Sequence, residues 1–188
     1  MRLYLVRHAA VAVRPDAPAA QWRLSPEGRA GAEALGAERF WADVASIATS
    51  PEPKAVATAQ RIAAPHGLPL RIEPDLREVE RGWAGEGYRE LVRRYLAGEV
   101  VDGWEPREQV VGRVRACIDR TVAANAGRAV AVASHGLALT LYVAYLLGLD
   151  AAAAFDLWSR LRLPDLAVVD LETRRMEREF GWEAGTSG

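Results

Sequence analysis

The chain has 188 residues, half of them hydrophobic and 26% charged, with a formal net charge of −1. That length suits a single domain whose core needs neither disulfides nor a structural metal, and the near-zero charge gives no general pull toward nucleic acid or an anionic membrane, so an anion site has to be built locally. The lone cysteine, Cys117, excludes a disulfide framework, belongs to no zinc-type spacing, and reads as a small buried side chain.

In chain order, residues 2–6 read as a strand. Leu3 and Leu5 face one way, Tyr4 and Val6 the other, and both sets are apolar, as in a strand covered by helices on both sides. The strand ends at Arg7-His8, and a Pro- and Ala-rich loop runs to about residue 24. Ser25-Pro26-Glu27-Gly28 is a helix start, with Ser25 as cap, Pro26 at the first position and Glu27 at the positive end; that helix is expected to reach residue 40 or 41. A strand over 44–48 follows. Ser50-Pro51 repeats the cap-plus-proline signal ahead of a helix to about 64. A strand over 70–72, an irregular loop over 73–87, and helices over 88–97 and 107–124 come next. An apolar strand over 129–134 ends at His135, then helices over 137–147 and 151–158. Strands are expected over 161–163, 167–171 and 176–180. Alternating strands and helices imply a three-layer α/β/α sandwich around a mainly parallel sheet. One domain is expected to span the chain, with residues 88–106 as a small helical insertion over one end of the sheet.

The N-terminal stretch is broken by Arg7 and His8 and makes a poor secretory signal. The longest apolar run, about 137–149, falls short of the ~20 residues that cross a bilayer. Both points favour a cytoplasmic protein with no membrane or nucleic-acid partner. The oligomeric state is not legible.

Two of the three histidines, His8 and His135, follow buried strands directly, where α/β sheets build their ligand crevices. Arg7 offers a planar fork of donors suited to phosphate oxygens. Gly136 lets the backbone approach an anion, and the helix beginning there offers free N–H groups. Lys54 is the only lysine among 24 basic residues. It falls in the first turn of its helix, where a cation is unfavourable unless an anion lies close by; a solvated surface lysine is the alternative. His66 reads as an exposed residue at a helix end. Trp22, Trp83 and Trp104 sit in loops and read as packing onto the core, or as lining an entrance. Arg89, Arg93 and Arg94 read as a solvated helix face rather than a reader of acidic substrate groups.

These segments meet a known pattern. Leu5-Val6-Arg7-His8-Ala9 resembles the Arg-His-Gly signature of the histidine phosphatase superfamily, which includes phosphoglycerate mutases. Leu24-Ser25-Pro26-Glu27-Gly28 resembles its Leu-Thr-x-x-Gly helix start. Thr49-Ser50-Pro51-Glu52-Pro53-Lys54-Ala55 with Thr58-Ala59 resembles its Ser-Ser-Pro-x-x-Arg-Ala-x-x-Thr-Ala stretch. Leu76-Arg77-Glu78 with Gly82 resembles the segment of the acid/base glutamate, and Ser134-His135-Gly136 the second histidine motif. The five segments stand in family order along nearly the whole chain.

The resemblance implies a phosphoglycerate mutase-like fold and a phosphatase of the small branch. His8 would be the nucleophile forming a phosphohistidine, and Glu78 the acid and base, with Glu80 the alternative. Arg7, Lys54, His135 as a cation and the Gly136 backbone would hold the phosphoryl oxygens, with no metal and no cofactor. The substrate would be a small phosphorylated metabolite or a phosphoprotein. A mutase retaining the phosphoryl group and a non-catalytic phosphate-binding scaffold are the competing readings. The chain departs from the pattern at Ala9, which replaces glycine, at Ala10-Val11, which replace Glu-Thr, and at Lys54, which replaces arginine. Arg14 lies near a position where relatives carry a polar phosphate ligand, and reads equally as a surface residue.

Overall fold

The computed structural model describes residues 1–82, 85, 87–125 and 127–185. Six strands form one sheet: β1 (Arg2–Arg7), β2 (Val44–Thr49), β3 (Leu70–Ile72), β4 (Ala129–Ser134), β5 (Asp165–Asp170) and β6 (Arg175–Arg178). Their order is β3-β2-β4-β1-β5-β6. The first four strands of that order run parallel, β5 is antiparallel to β1, and β6 is antiparallel to β5. The helices are α1 (Pro26–Gly36), α2 (Pro53–Ala63), α3 (Tyr88–Leu96), α4 (Arg107–Ala123), α5 (Gly136–Leu147) and α6 (Ala151–Arg160). None among the described residues is long and apolar enough to cross a membrane.

The period-two pattern of β1 sorts its side chains between two apolar clusters, as expected of a central strand. Leu3 and Leu5 join a cluster with residues of α3, α4, α5 and α6. Tyr4 and Val6 join the other, with Leu35 of α1 and Ala59 and Ile62 of α2. The three layers are therefore α1 and α2, the sheet, and the remaining helices. α3 packs into the same cluster as the sheet, through Val92, Tyr95 and Leu96.

Three local expectations are corrected. α1 stops at Gly36 rather than near residue 40, and Arg39–Asp43 forms a 3-10 turn. That turn buries Trp41, whose indole N–H donates to the Leu35 carbonyl at 2.6 Å, a helix-end acceptor that also takes the Glu38 N–H at 3.3 Å. Ser50 does not cap α2. The helix begins at Pro53 with Glu52 in the cap position, and neither residue caps it through a side chain. Residues 161–163 form no strand. Pro164 brings no N–H to a ladder, and the carbonyls of Leu161 and Arg162 instead receive the Arg7 guanidinium, at 2.8 and 3.4 Å.

Candidate active site

Each functional segment follows the carboxyl end of a parallel strand, so the fold gathers them at one edge of the sheet. β1 and β4 are neighbours, in register from Leu3 opposite Val130 to Arg7 opposite Ser134. The ladder continues past them: the His8 N–H donates to the Ser134 carbonyl at 3.0 Å. His8 and His135 thus meet with ring centroids 5.2 Å apart. A cleft of about 620 Å³ is lined by Arg7, His8, Lys54, Glu78, His135 and Gly136 together.

His8 is held from two directions. Its Nδ1 lies 2.8 Å from the Ala9 carbonyl. A carbonyl only accepts, so Nδ1 carries the hydrogen and the lone pair is on Nε2. The Ala9 N–H donates to Thr58 Oγ1 at 3.0 Å, and that hydroxyl donates to the Lys54 carbonyl. Burial pushes the His8 pKa down to about 3; the Ala9 bond opposes this, and Lys54 and Arg7 add to it. The ring is therefore neutral near pH 7, the form with a lone pair to give.

His135 is fully buried. Burial holds its pKa well below that of an ordinary histidine, and the neighbouring His8, Lys54, Arg7 and Arg113 push the same way. Its Nε2 lies 2.7 Å from Ser50 Oγ and 3.3 Å from Glu52 Oε1. Its Nδ1 is buried with no hydrogen-bond partner among the described residues. Ser50, read from the sequence as a helix cap, is instead a partner of this ring.

Arg7 spends one guanidinium nitrogen on the Leu161 and Arg162 carbonyls, while its buried Nε has no partner among the described residues. Gly136 serves Arg7: a Cβ there would lie 3.3 Å from the nearer guanidinium nitrogen, so glycine keeps that place open. Lys54 is 6% exposed, which excludes the solvated alternative. Its ammonium bonds Glu52 Oε2 at 2.5 Å and the Ala19 carbonyl at 2.8 Å. The anion that offsets a cation at this helix start is thus a side chain of the protein itself.

Glu78 lies against the start of α5. Its carboxylate accepts from the N–H groups of Val79, Ala138 and Leu137, at 3.0, 3.0 and 3.3 Å. Two of the helix N–H groups expected to be free are therefore already occupied. Its own N–H donates to Glu52 Oε1 at 2.9 Å. Glu80 also lines the cleft but is exposed.

Arg14 does not line the cleft. It is an exposed residue bonded to Asp16 at 2.5 Å. Trp22 lines the cleft, and Trp104 packs on Tyr88 and Tyr95. Trp83 lies outside the described residues. His66 is half-buried rather than exposed, with Nε2 2.7 Å from the Gly36 carbonyl. Arg89 and Arg93 lie over the Phe155 ring, and Arg94 pairs with Glu99.

Two site residues carried no role in the sequence reading. Glu52 lines the cleft at the junction of Lys54, His135 and Glu78. Arg113, reaching over from α4, donates to the carbonyls of Asp75, Arg77 and Glu78 at 2.7, 2.7 and 3.1 Å and pairs with both oxygens of Glu105. Nothing set it apart from 22 other arginines.

The class that this fold and site define is a three-layer α/β protein with two convergent histidines in a cleft lined by Arg7 and the buried Lys54. The profile of the Histidine phosphatase superfamily (branch 1) matches residues 3–180, and the chain belongs to that superfamily. No curated protein sequence matches significantly. Among solved structures, it is similar to a mycobacterial glucosyl-3-phosphoglycerate phosphatase complexed with VO3, 22% identical over 98% of this chain and 99% of the other, with a TM-score of 0.75. It is also similar to a putative α-ribazole-5′-P phosphatase from Escherichia coli K-12, 21% identical over 100% and 99% of the two chains, TM-score 0.77. An α-ribazole phosphatase from Shigella flexneri is 20% identical over the full length of both, TM-score 0.75.

Proposed function

We propose that this chain hydrolyses a phosphomonoester of a small metabolite through a phosphohistidine on His8, without a metal. The observation that carries the reading is the state of His8: a neutral ring, pinned at Nδ1, with the Nε2 lone pair free and a second imidazole 5.2 Å away. Nε2 attacks phosphorus as the bond to the leaving oxygen breaks, and Glu78 in its acid form gives that oxygen a proton. Water then attacks phosphorus, Glu78 takes its proton, and the labile P–N bond breaks with its electron pair returning to Nε2, which releases phosphate and restores neutral His8. Arg7, Lys54 and His135 stabilise the charge on the equatorial oxygens, the task metal ions perform in other phosphoryl-transfer enzymes. The named relatives are phosphatases of small phosphorylated metabolites, which supports the substrate class.

The test is acid-labile phosphate trapped on the protein after brief mixing with p-nitrophenyl phosphate, together with steady-state rates. His8→Ala is expected to abolish both, whereas His66→Ala and a chelator leave both near wild type. Glu78→Gln is expected to lose about 10²–10⁴-fold in kcat, and Glu80→Gln little. Equal rates for the His8 and His66 variants would remove the assigned nucleophile. Loss confined to the Glu80 variant would move the proton donor two residues along.

A further inference from the structure

Glu52 is a buried carboxylate beside a cleft built for an anion, 8% exposed, and the reaction above gives it no part. A negative charge there weakens anion binding unless it organises something else. Its contacts indicate what. Oε2 takes the Lys54 ammonium at 2.5 Å. Oε1 takes the Glu78 N–H at 2.9 Å and lies 3.3 Å from His135 Nε2. We propose that Glu52 is a positioning residue: it fixes Lys54 and His135 in one arrangement and supplies the countercharge that lets His135 take up a proton on Nδ1 when a tetrahedral anion enters the cleft. The proposal rests on the hydrolase reading only in taking that anion to be a phosphoryl group.

Lys54 stands where the family carries an arginine, and a lysine ammonium lacks the fixed fork that orients a guanidinium. Glu52 and the Ala19 carbonyl occupy two of its three N–H directions and leave the third. The pair thereby recovers direction that the substitution gave up.

The argument for His135 is one of hydrogen count. A carboxylate repels a lone pair and attracts an N–H, so Glu52 Oε1 at 3.3 Å favours the hydrogen on Nε2, where Ser50 Oγ at 2.7 Å accepts it. In a neutral ring that leaves a bare lone pair on Nδ1, the buried atom without a partner. A lone pair repels an anion oxygen, so in this tautomer His135 holds one once Nδ1 has gained a proton from solvent. The ring is then a cation donating at both nitrogens, through Nδ1 to the anion and through Nε2 to Ser50 Oγ, with Glu52 Oε1 3.3 Å from Nε2 as its countercharge. Arg7 and His8 at the end of β1, Lys54 on α2 and Arg113 on α4 oppose that charge. Glu52 and Glu78 are the acidic groups in the cleft beside the ring that favour it. Without an anion the opposing groups win and the ring stays neutral. A phosphomonoester carries nearly two negative charges at pH 7, and with Glu52 in place it reverses the balance.

The experiment uses the full chain and inorganic phosphate as probe, with the His135 ring nitrogens followed by ¹⁵N NMR at pH 7.5. His135 is expected to be neutral in the free protein and an imidazolium at saturating phosphate. In Glu52→Gln, which keeps the shape and removes the charge, the ring stays neutral with phosphate bound and Kd for phosphate rises about tenfold or more, the worth of one charge-assisted bond. A wild-type ring that remains neutral with phosphate bound overturns the proposal whether or not the variant folds. So does an imidazolium with unchanged Kd in Glu52→Gln. Neither readout requires turnover, so failure to trap a phosphohistidine would end the hydrolase reading and leave this result to stand or fall alone.

Discussion

At the scale of single residues, the anion-free site holds two neutral imidazoles inside the protein, and this leaves a mark on stability. The folded His8 has a pKa of about 3, against about 6.5 in the unfolded chain. Between those values the unfolded state binds more protons, so stability rises with pH: the contribution is whole above about pH 6.5 and is lost as pH falls toward 3. From pH 6.5 to 5 the loss from His8 is about 2 kcal/mol, and His135 pushes in the same direction. Urea unfolding of wild type and His8→Asn at pH 7 and pH 5 isolates the His8 share. The variant is expected to lose less on acidification by about that amount, and parallel losses would contradict the buried neutral ring. His8 and His135 were legible because a histidine directly after an apolar strand is a positional signal. Glu52 was not: an acid beside a proline at a helix start reads as dipole compensation, and only the tertiary approach of Lys54, His135 and Glu78 gives it other partners. Ser50 failed the same way, since a serine before proline is a capping signal whether or not a ring takes its hydroxyl.

At the scale of elements, the strands and helices that bury alternating or amphipathic faces were readable, and the connections that serve the site were not. Residues 161–163 have strand-like composition, yet the Leu161 and Arg162 carbonyls hold Arg7, a use no local pattern encodes. The start of α1 shows the opposite case, a motif readable from the chain whose reason lies elsewhere. Gly28 accepts the cap geometry, its N–H donating to Ser25 Oγ at 3.0 Å. What requires glycine is the loop after His8: a Cβ at this position would lie 1.9 Å from the Ala10 carbonyl oxygen, which is also the acceptor for the Ser25 N–H. Backbone must move to admit a methyl group, and the nearest backbone that can move carries His8. Gly28→Ala is therefore expected to destabilise the fold by about 1–3 kcal/mol, the range for overpacking, and to lower kcat further than Gly112→Ala. Position 112 has open space around the same methyl group. Thermal unfolding and p-nitrophenyl phosphate turnover of the two variants decide it, and indistinguishable rates would show that α1 does not set the position of the nucleophile.

At the scale of the molecule, the site is divided among distant parts of the sequence and both faces of the sheet. β1 and β4 bring the histidines, α2 brings Lys54 from one face, and the loop carrying Glu78 has to be fixed from the other. Two links do this. Ser134 Oγ donates to the Leu76 carbonyl at 2.7 Å, tying the loop to the end of β4. Arg113 ties it to α4 through three carbonyls and to Glu105 through a two-pronged ion pair whose side chains are 9% and 6% exposed. Burial alone would raise the Glu105 pKa, but the Arg113 bonds, the Glu80 N–H and the charges of Arg113 and Arg77 together outweigh it and the net shift is downward. A carboxylate held below its unfolded value stabilises the fold above about pH 4.5 and ceases to do so as pH falls through its folded pKa. Arg113→Ala leaves the buried Glu105 carboxylate with the Glu80 N–H and the more exposed Arg77, at 3.2 Å each, and frees the loop, so it is expected to cost about 3 kcal/mol and to reduce kcat through a displaced Glu78. Adding Glu105→Gln should return part of the lost stability, because no buried carboxylate then remains and Arg77, its other partner, is solvated. It should not return the rate, because the Arg77 and Glu78 carbonyls still lack their donor. Unfolding free energies and kcat for the two single variants and the double variant separate these effects. Recovery of both quantities in the double variant would mean that Arg113 acts on stability alone and that the loop holds its position without it.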